Sequence, residues 1–364
     1  MLDSLGKKKV PMTIDPRGFP TTLPDFQKVF PDDRSCATYL ERLRWPEIFC
    51  CPKCGTSGEP FRFQNRLGVL RCRFCRVDIS LTAQTVMDHT HTPLSTWFWA
   101  AYLVTTQTPG ESALQFQRQL GLSRYETAYQ ILHKLRAEMV RPDRDTIGGE
   151  HVVEVDETLI GGRTRGEGRG VHHKAYVIGA VEVRDRKDGE DRSSEDSPDS
   201  HKDGIPLKKS TYAGRLRLQV IKDRKTATCE RFITENIRPD TRIKTDGWTG
   251  YDRLGELGWP HYGLALNADP ELTQEHLPMI HLVFSNLKSW ILGTHHGISQ
   301  QHLQAYLNEY TFRFNRRFYP MTSFNSVLGL AAHSVPPTYE SLYSGEWVHP
   351  IGPSPTSITS QVHC

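Results

Sequence analysis

His151-Val-Val-Glu-Val-Asp156, Ala175-Tyr-Val-Ile-Gly-Ala-Val-Glu-Val183, Arg215-Leu-Arg-Leu-Gln-Val-Ile221 and Arg242-Ile-Lys-Thr-Asp-Gly-Trp248 decide how this chain is read. The first three are short runs rich in β-branched residues, the pattern of successive strands. A helical segment from Ala227 to Asn236 separates them from the fourth, which ends at Asp246. Three strands in a meander, then a helix and a parallel strand, make an α+β domain around a mixed sheet. In that order the first and fourth strands are neighbours, so Asp156 and Asp246 come together from distant parts of the chain. Carboxylates held by strand pairing can share divalent cations with little loss of side-chain freedom, as two-metal phosphoryl transfer requires. The plainer alternative is that Asp156 only ends a strand and that Asp246-Gly247 is a turn, since Asp-Gly is a common turn dipeptide.

The window from His281-Leu-Val-Phe-Ser-Asn-Leu-Lys-Ser-Trp290 to Phe314-Asn-Arg-Arg317 narrows the choice. With Val155-Asp-Glu-Thr-Leu-Ile-Gly-Gly162 and Lys244-Thr-Asp-Gly-Trp-Thr-Gly-Tyr251, it resembles the insertion-sequence transposases of the DDE superfamily. The branch is the one with an N-terminal zinc ribbon and Asn as third catalytic residue, and the likeness covers residues 30–335. The resemblance implies a ribonuclease H-like catalytic domain, the fold that the strand order also suggests. It further implies metal-dependent 3'-end cleavage and strand transfer on double-stranded DNA, with terminal inverted repeats and target DNA as partners and a homo-oligomer in the synaptic complex. Asp156, Asp246 and Asn286 would hold Mg2+ or Mn2+, and Lys288 would contact the DNA backbone or balance charge. An amide oxygen ligates a hard cation without charge, so the second ion would be held more weakly than by a carboxylate. A helix-cap role for Ser285 or Asn286 is the alternative, with Glu275 or Glu271 as substitute ligand. His281, His295 and His296 rank behind these because Mg2+ prefers oxygen.

Composition is compatible with this and decides little. At 364 residues, 37% hydrophobic and 24% charged, the chain can build two or three small cores. The start Met1-Leu-Asp-Ser-Leu-Gly-Lys-Lys-Lys9 lacks the apolar centre of a signal peptide, and no run is long enough to span a membrane. A cytoplasmic, nucleoid-associated protein is therefore expected. The net charge of +3 is too small to announce a nucleic-acid partner, so any basic surface must come from local clustering.

Four of the eight cysteines fall in Cys51-Pro-Lys-Cys54 and Cys72-Arg-Phe-Cys75, spaced C-x2-C-x17-C-x2-C as in a four-thiolate zinc site. Disulfides are the alternative, disfavoured for a cytosolic chain. Arg62, Arg66, Arg71, Arg73 and Arg76, interleaved with Phe61, Phe63 and Phe74, offer a small metal-folded ribbon a set of phosphate contacts. The same pattern also suits a solvated basic hairpin.

Leu94 to Val104 is apolar on nearly every face and reads as a buried helix. Glu111–Leu120, a turn at Gly121-Leu-Ser123 and a helix from Arg124 have helix-turn-helix spacing, with Ser123 as N-cap and Ala128, Ile131, Leu132 and Leu135 as the inner stripe. Arg124 and Lys134 are then free to face a DNA groove. The glycine-rich stretch 161–170, with Arg163 and Arg165, could close over a DNA backbone or be a plain hairpin loop. Gln300–Phe318 reads as a helix laying its aromatic side on the sheet. The expected division is an N-terminal arm over 1–29, a zinc ribbon over 30–88, a helical DNA-binding domain over 89–148, a catalytic domain over 149–335 with a mobile insertion at 184–212, and a tail over 336–364. Two other classes fit the same residues: a catalytically inactive zinc-ribbon DNA-binding protein, and a ribonuclease H-like nuclease without strand transfer.

Overall fold

A computed structural model describes residue 20 and residues 22–140, 145–161, 174–185, 211–267 and 269–331. The chain divides into two compact units, residues 1–142 with 316–364, and residues 143–315.

The first unit opens with helices α1 (Leu23–Val29) and α2 (Asp33–Arg44). Residues 23–29, expected within a flexible N-terminal arm, are helical for local reasons: Thr22 accepts the Asp25 N–H and a proline occupies the first turn. Asp32 and Ser35 form a reciprocal capping box for α2. Three short strands follow as an antiparallel sheet in the order β1 (Phe61–Arg62), β2 (Val69–Arg71) and β3 (Asp78–Ser80). Helix α3 (Leu94–Thr106) is buried along most of its length, as its apolar run predicts. Helices α4 (Ala113–Gln119) and α5 (Tyr125–Ala137) form the expected pair. Ser112 caps α4, but Ser123 does not cap α5; Arg124 holds that position without a side-chain hydrogen bond. Ala128, Ile131, Leu132 and Leu135 are the inner stripe.

The C-terminal boundary differs from expectation. The unit that holds the large sheet ends at Asn315, and the helix Pro320–Ala331 belongs with the first unit. Its Phe324 is fully buried, with ring contacts to Phe26, Phe30, Phe98 and Tyr102, and Tyr39 donates a hydrogen bond to Asn325. An aromatic cluster of that size fixes the helix more strongly than its nearness in sequence to residue 315.

The second unit is built on β4 (Val152–Ile160), β5 (Ala175–Asp185), β6 (Thr211–Ile221), β7 (Ile243–Asp246) and β8 (His261–Leu264), in the spatial order β6-β5-β4-β7-β8. The meander β4-β5-β6 is antiparallel and β7 runs parallel to β4, with Val153 opposite Ile243 and Glu154 opposite Lys244. Helix α6 (Thr226–Asn236) makes the crossover. Beyond the sheet come α7 (Pro270–His276), α8 (Pro278–Trp290) and α9 (Leu303–Phe314). Two cores lie on opposite faces of the sheet. Val153, Val155, Ile178 and Ala180 pack with Phe232 and Ile233 of α6. Val177, Val181, Leu216 and Leu218 pack with Ile280, Val283, Phe284 and Leu287 of α8 and with Leu303, Leu307 and Tyr310 of α9. The period of two along β4 thus sends Glu154 and Asp156 to the α8 side.

Edge strand β6 is covered by side-chain amides instead of another strand. Gln304 accepts the Val220 N–H at 2.9 Å, while Asn315 accepts the Leu216 N–H at 2.7 Å and donates to the Leu216 carbonyl at 3.1 Å. These contacts satisfy backbone groups that an open edge would present to another chain.

Candidate metal centres

Asp246 ends β7, as read from the sequence, whereas Asp156 lies within β4, which continues four residues to Ile160. Its backbone is paired with Gly179 of β5. A Cβ at Gly179 would stand 2.9 Å from the Phe284 ring, 3.0 Å from Ile280 and 3.0 Å from Leu218. The absent side chain is what lets α8 settle on the sheet beside Asp156. The start of α8 is held from the same strand: a Glu154 oxygen accepts the N–H groups of Met279 and Ile280, each at 2.8 Å. Burial pushes the Glu154 carboxyl up to about 7 in spite of those bonds.

This docking brings His281 to Asp156, with Nε2 3.1 Å from Oδ2. That nitrogen is shut off from solvent and has no hydrogen-bond partner among the described residues. The Asp246 carboxyl is raised by burial and by the Asp156 charge, and this is opposed by the Trp248 N–H, Arg224 and His281. The two aspartates are therefore electrostatic neighbours, as the parallel pairing of β4 and β7 demands. Lys288 also senses Asp156, although burial outweighs that attraction and lowers its ammonium. Asn286 differs. It is exposed and interior to α8, which removes the cap alternative. At about 100° per residue it lies about 140° round the helix from His281, away from the face that meets Asp156. Glu271 and Glu275 are exposed on α7, and His295 is packed edge-on between Trp290 and Tyr306.

Arg224 ties the carboxylates to the opposite face of the sheet. Its guanidinium reaches Glu157 at 2.8 Å and Asp246 at 3.9 Å, and it lies over the Trp248 ring at 4.6 Å. Arg224, Lys225, Thr226, Trp248, Thr249 and Gly250 line an open cleft of about 320 Å³ next to Asp246. Trp248 is 41% exposed. Sequence reading missed Glu154, in a strand-like run, and Arg224, in the loop before α6, since a charged residue gives no sign of a partner far along the chain. His281 did carry a signal: it lies seven residues before Lys288, two helical turns on one face.

The four cysteines of the ribbon come together as expected. Sulfurs of Cys51, Cys54, Cys72 and Cys75 all lie within 4.8 Å of one another, a set suited to structural Zn2+. Asp156, Asp246 and His281 do not form so tight a group; that cluster is unique among the described residues. Two matching turns build it. Gly55 N–H bonds to the Cys51 carbonyl at 2.9 Å and Arg76 N–H to the Cys72 carbonyl at 3.0 Å. The thiol of Cys54 is drawn down to about 6 by the hydroxyl and N–H of Thr56.

The proposed DNA contacts are partly engaged within the protein. Arg62 pairs with Glu41 at 2.6 Å and Glu59 at 2.9 Å, Arg66 and Arg71 pair with Asp78 at 2.7 and 2.6 Å, and both of the latter stack on Phe63. These pairs are exposed, so the guanidiniums could still exchange onto phosphates. Arg73 and Arg76 are exposed, with Arg73 donating to the Glu59 carbonyl at 3.0 Å. On α5, Arg124 is exposed at the helix start, but Lys134 is tucked in and burial lowers its ammonium, which sets it apart from a free phosphate contact. Arg163 and Arg165, most of the insertion at 184–212 and the tail at 336–364 lie outside the described residues. No helix among the described residues is long and apolar enough to cross a membrane.

Comparison with known proteins finds two transposase domains in the chain. Residues 147–315 match the ISXO2-like transposase domain, and residues 31–78 match the transposase zinc-ribbon domain. The chain is 25% identical over 309 residues, 79% of its length and 92% of the relative's, to an uncharacterized protein in transposable element ISH50 of Halobacterium salinarum. No solved structure matches the chain.

Proposed function

From a chain that belongs to the insertion-sequence transposases by its ISXO2-like domain at 147–315 and its zinc-ribbon domain at 31–78, we propose a DNA transposase that cuts 3' ends and transfers them to target DNA. The observation that carries this reading is the placement of Asp156 and Asp246 on neighbouring parallel strands, close enough for the Asp156 charge to raise the Asp246 carboxyl. Two carboxylates on adjoining strands, with a solvent-shielded imidazole nitrogen that has no hydrogen bond among the described residues, are a donor set suited to divalent cations. Such ions, when bound, activate water or a 3'-hydroxyl and stabilise the leaving oxygen. The protein positions the strand and supplies charge, with no side-chain nucleophile.

Around the carboxylates each group has a task in this reading. Lys288 meets a non-bridging phosphate oxygen. Trp248, stacked on Arg224 at the rim of the cleft, offers a face for a terminal base. The ribbon and the α4–α5 pair bind terminal inverted repeats through Arg73, Arg76 and Arg124, with Arg62, Arg66 and Arg71 exchanging from their ion pairs. Two copies hold two ends, in the cytoplasm where the DNA is. A supercoiled donor with the element's own inverted repeats, incubated with Mg2+, Mn2+ or EDTA, tests the proposal. Cleavage and joining that need metal and vanish in Asp156→Ala and Asp246→Ala, with end binding kept, are expected. Binding without cutting would instead mark an inactive DNA-binding protein, and cutting without joining a nuclease.

A further inference from the structure

We propose that His281, in place of Asn286, is the third metal-binding side chain beside Asp156 and Asp246, and that its imidazole shifts the site from Mg2+ towards Mn2+. The inference deepens the transposase reading and takes the location of the metal site from it.

Three independent observations converge on this residue. The first is direct contact: Nε2 lies 3.1 Å from Asp156 Oδ2, yet this atom is shielded from solvent and makes no hydrogen bond among the described residues. A lone imidazole nitrogen turned towards a carboxylate oxygen without hydrogen-bond alignment has the arrangement of two donors facing one cation. The second is helical phase. His281 and Lys288 are seven residues apart on α8, hence nearly eclipsed; His281 meets Asp156, and the Asp156 charge acts on Lys288. Asn286, five residues from His281, projects from another side. The third is fixation. Glu154, two residues before Asp156 on the same strand face, binds the N–H groups of Met279 and Ile280, and Gly179 admits Phe284 three residues after His281. The backbone that carries His281 is thus clamped to β4, which holds Asp156, and packed against β5 beside it, which is how a ligand is held with little loss of freedom.

Asp156, Asp246 and His281 do not all fall within the 4.8 Å that encloses the four sulfurs, which fits two ions better than one. Asp156, Asp246 and His281 would be the side chains that hold them. Imidazole is a poor donor for Mg2+, which takes oxygen ligands and keeps its waters, and a better one for Mn2+. A site with this donor set should discriminate between the two metals more than an all-oxygen site.

The test is metal binding by the zinc-loaded full-length chain, read from the loss of the free Mn2+ electron paramagnetic resonance signal, with Mg2+ as competitor. His281→Ala should weaken Mn2+ binding on the order of tenfold or more, while Asn286→Ala should stay within twofold of the parent. His281→Glu, which keeps a donor at the position, should let Mg2+ displace Mn2+ at lower concentration than in the parent chain. Unchanged Mn2+ affinity in His281→Ala, or a loss confined to Asn286→Ala, overturns the assignment. A His281→Glu chain no more responsive to Mg2+ overturns the selectivity. Failure of the transposase reading would look different: the parent would bind Mn2+ through His281 and leave the element's ends uncut.

Discussion

Gly179 faces the ring of Phe284 at a distance where a single Cβ would come within 2.9 Å. The strand residue opposite Asp156 is therefore also the residue that sets how near α8 can approach the sheet. Gly179→Ala should push α8 outward and cost about 1–3 kcal/mol of stability, the usual range for overpacking a filled core. Because the displaced helix carries His281 and Lys288, cleavage should fall by much more than the loss of folded protein explains. Urea denaturation alongside a single-turnover cleavage rate checks this; a variant as stable and as fast as the parent would show that the contact is slack.

Glu182 makes the second unit sensitive to acid. Its carboxylate is wholly buried and accepts the N–H groups of Gly148 and Arg215, each at 3.0 Å, with Arg184 at 2.6 Å and Arg215 at 2.9 Å as ion partners. Burial alone would raise this carboxyl, but the two N–H groups and the guanidiniums outweigh it and hold it below the usual 4.5. A depressed folded-state value means the stabilisation is complete above 4.5 and drains away as the pH falls through the lower folded value. Glu182→Gln should cost about 3 kcal/mol at neutral pH, as expected when one partner of a buried pair is removed. The gap between variant and parent should narrow as the pH falls below 4.5. A constant gap across that window, measured by urea melts at several pH values, would contradict this account of Glu182.

Much of this architecture was legible because it obeys local rules. The runs at 152–156, 175–183 and 215–221 have strand composition, the C-x2-C pairs have zinc spacing, and both survive folding with only their ends moved. What escaped is non-local. Phe324 joins an aromatic cluster some 300 residues earlier, at Phe26, and nothing in its own neighbourhood says so. Glu154 looks like a polar residue in a strand until Met279 and Ile280 arrive to use it. Asn286 was favoured by a linear motif and by the oxygen preference of Mg2+, whereas the side that α8 turns to Asp156 depends on Gly179 and Glu154, which no motif contains.

The zinc ribbon should depend on its ion more than the sheet unit does. With strands of two or three residues, β1 to β3 cannot bury enough apolar surface to hold the Cys51 and Cys72 turns together unaided. Cys51→Ser, or a chelator strong enough to strip zinc, should abolish an early calorimetric transition and end binding together. A later transition from residues 143–315, with their separate cores, should persist. Elemental analysis of the purified chain gives the zinc stoichiometry, and loss of both transitions at once would refute the independence of the units.

Arg76 offers the opposite kind of change, one that should stabilise. In the two cysteine turns, Gly55 and Arg76 occupy the same place, four residues after Cys51 and Cys72, and both are left-handed, at φ +70° and +58°. Glycine accepts that conformation freely, but a residue with a Cβ gives up about 1 kcal/mol or slightly more to adopt it. Arg76→Gly should recover about that much and slow the release of zinc to a chelator. The arginine is exposed, so no packing is lost. If it is kept for its charge at the DNA backbone, the same variant should bind the element's ends more weakly, with a shallower dependence of affinity on salt, by about one counterion. Faster zinc loss in Arg76→Gly would show that the side chain supports the turn. Unchanged salt dependence would remove Arg76 from the DNA contacts.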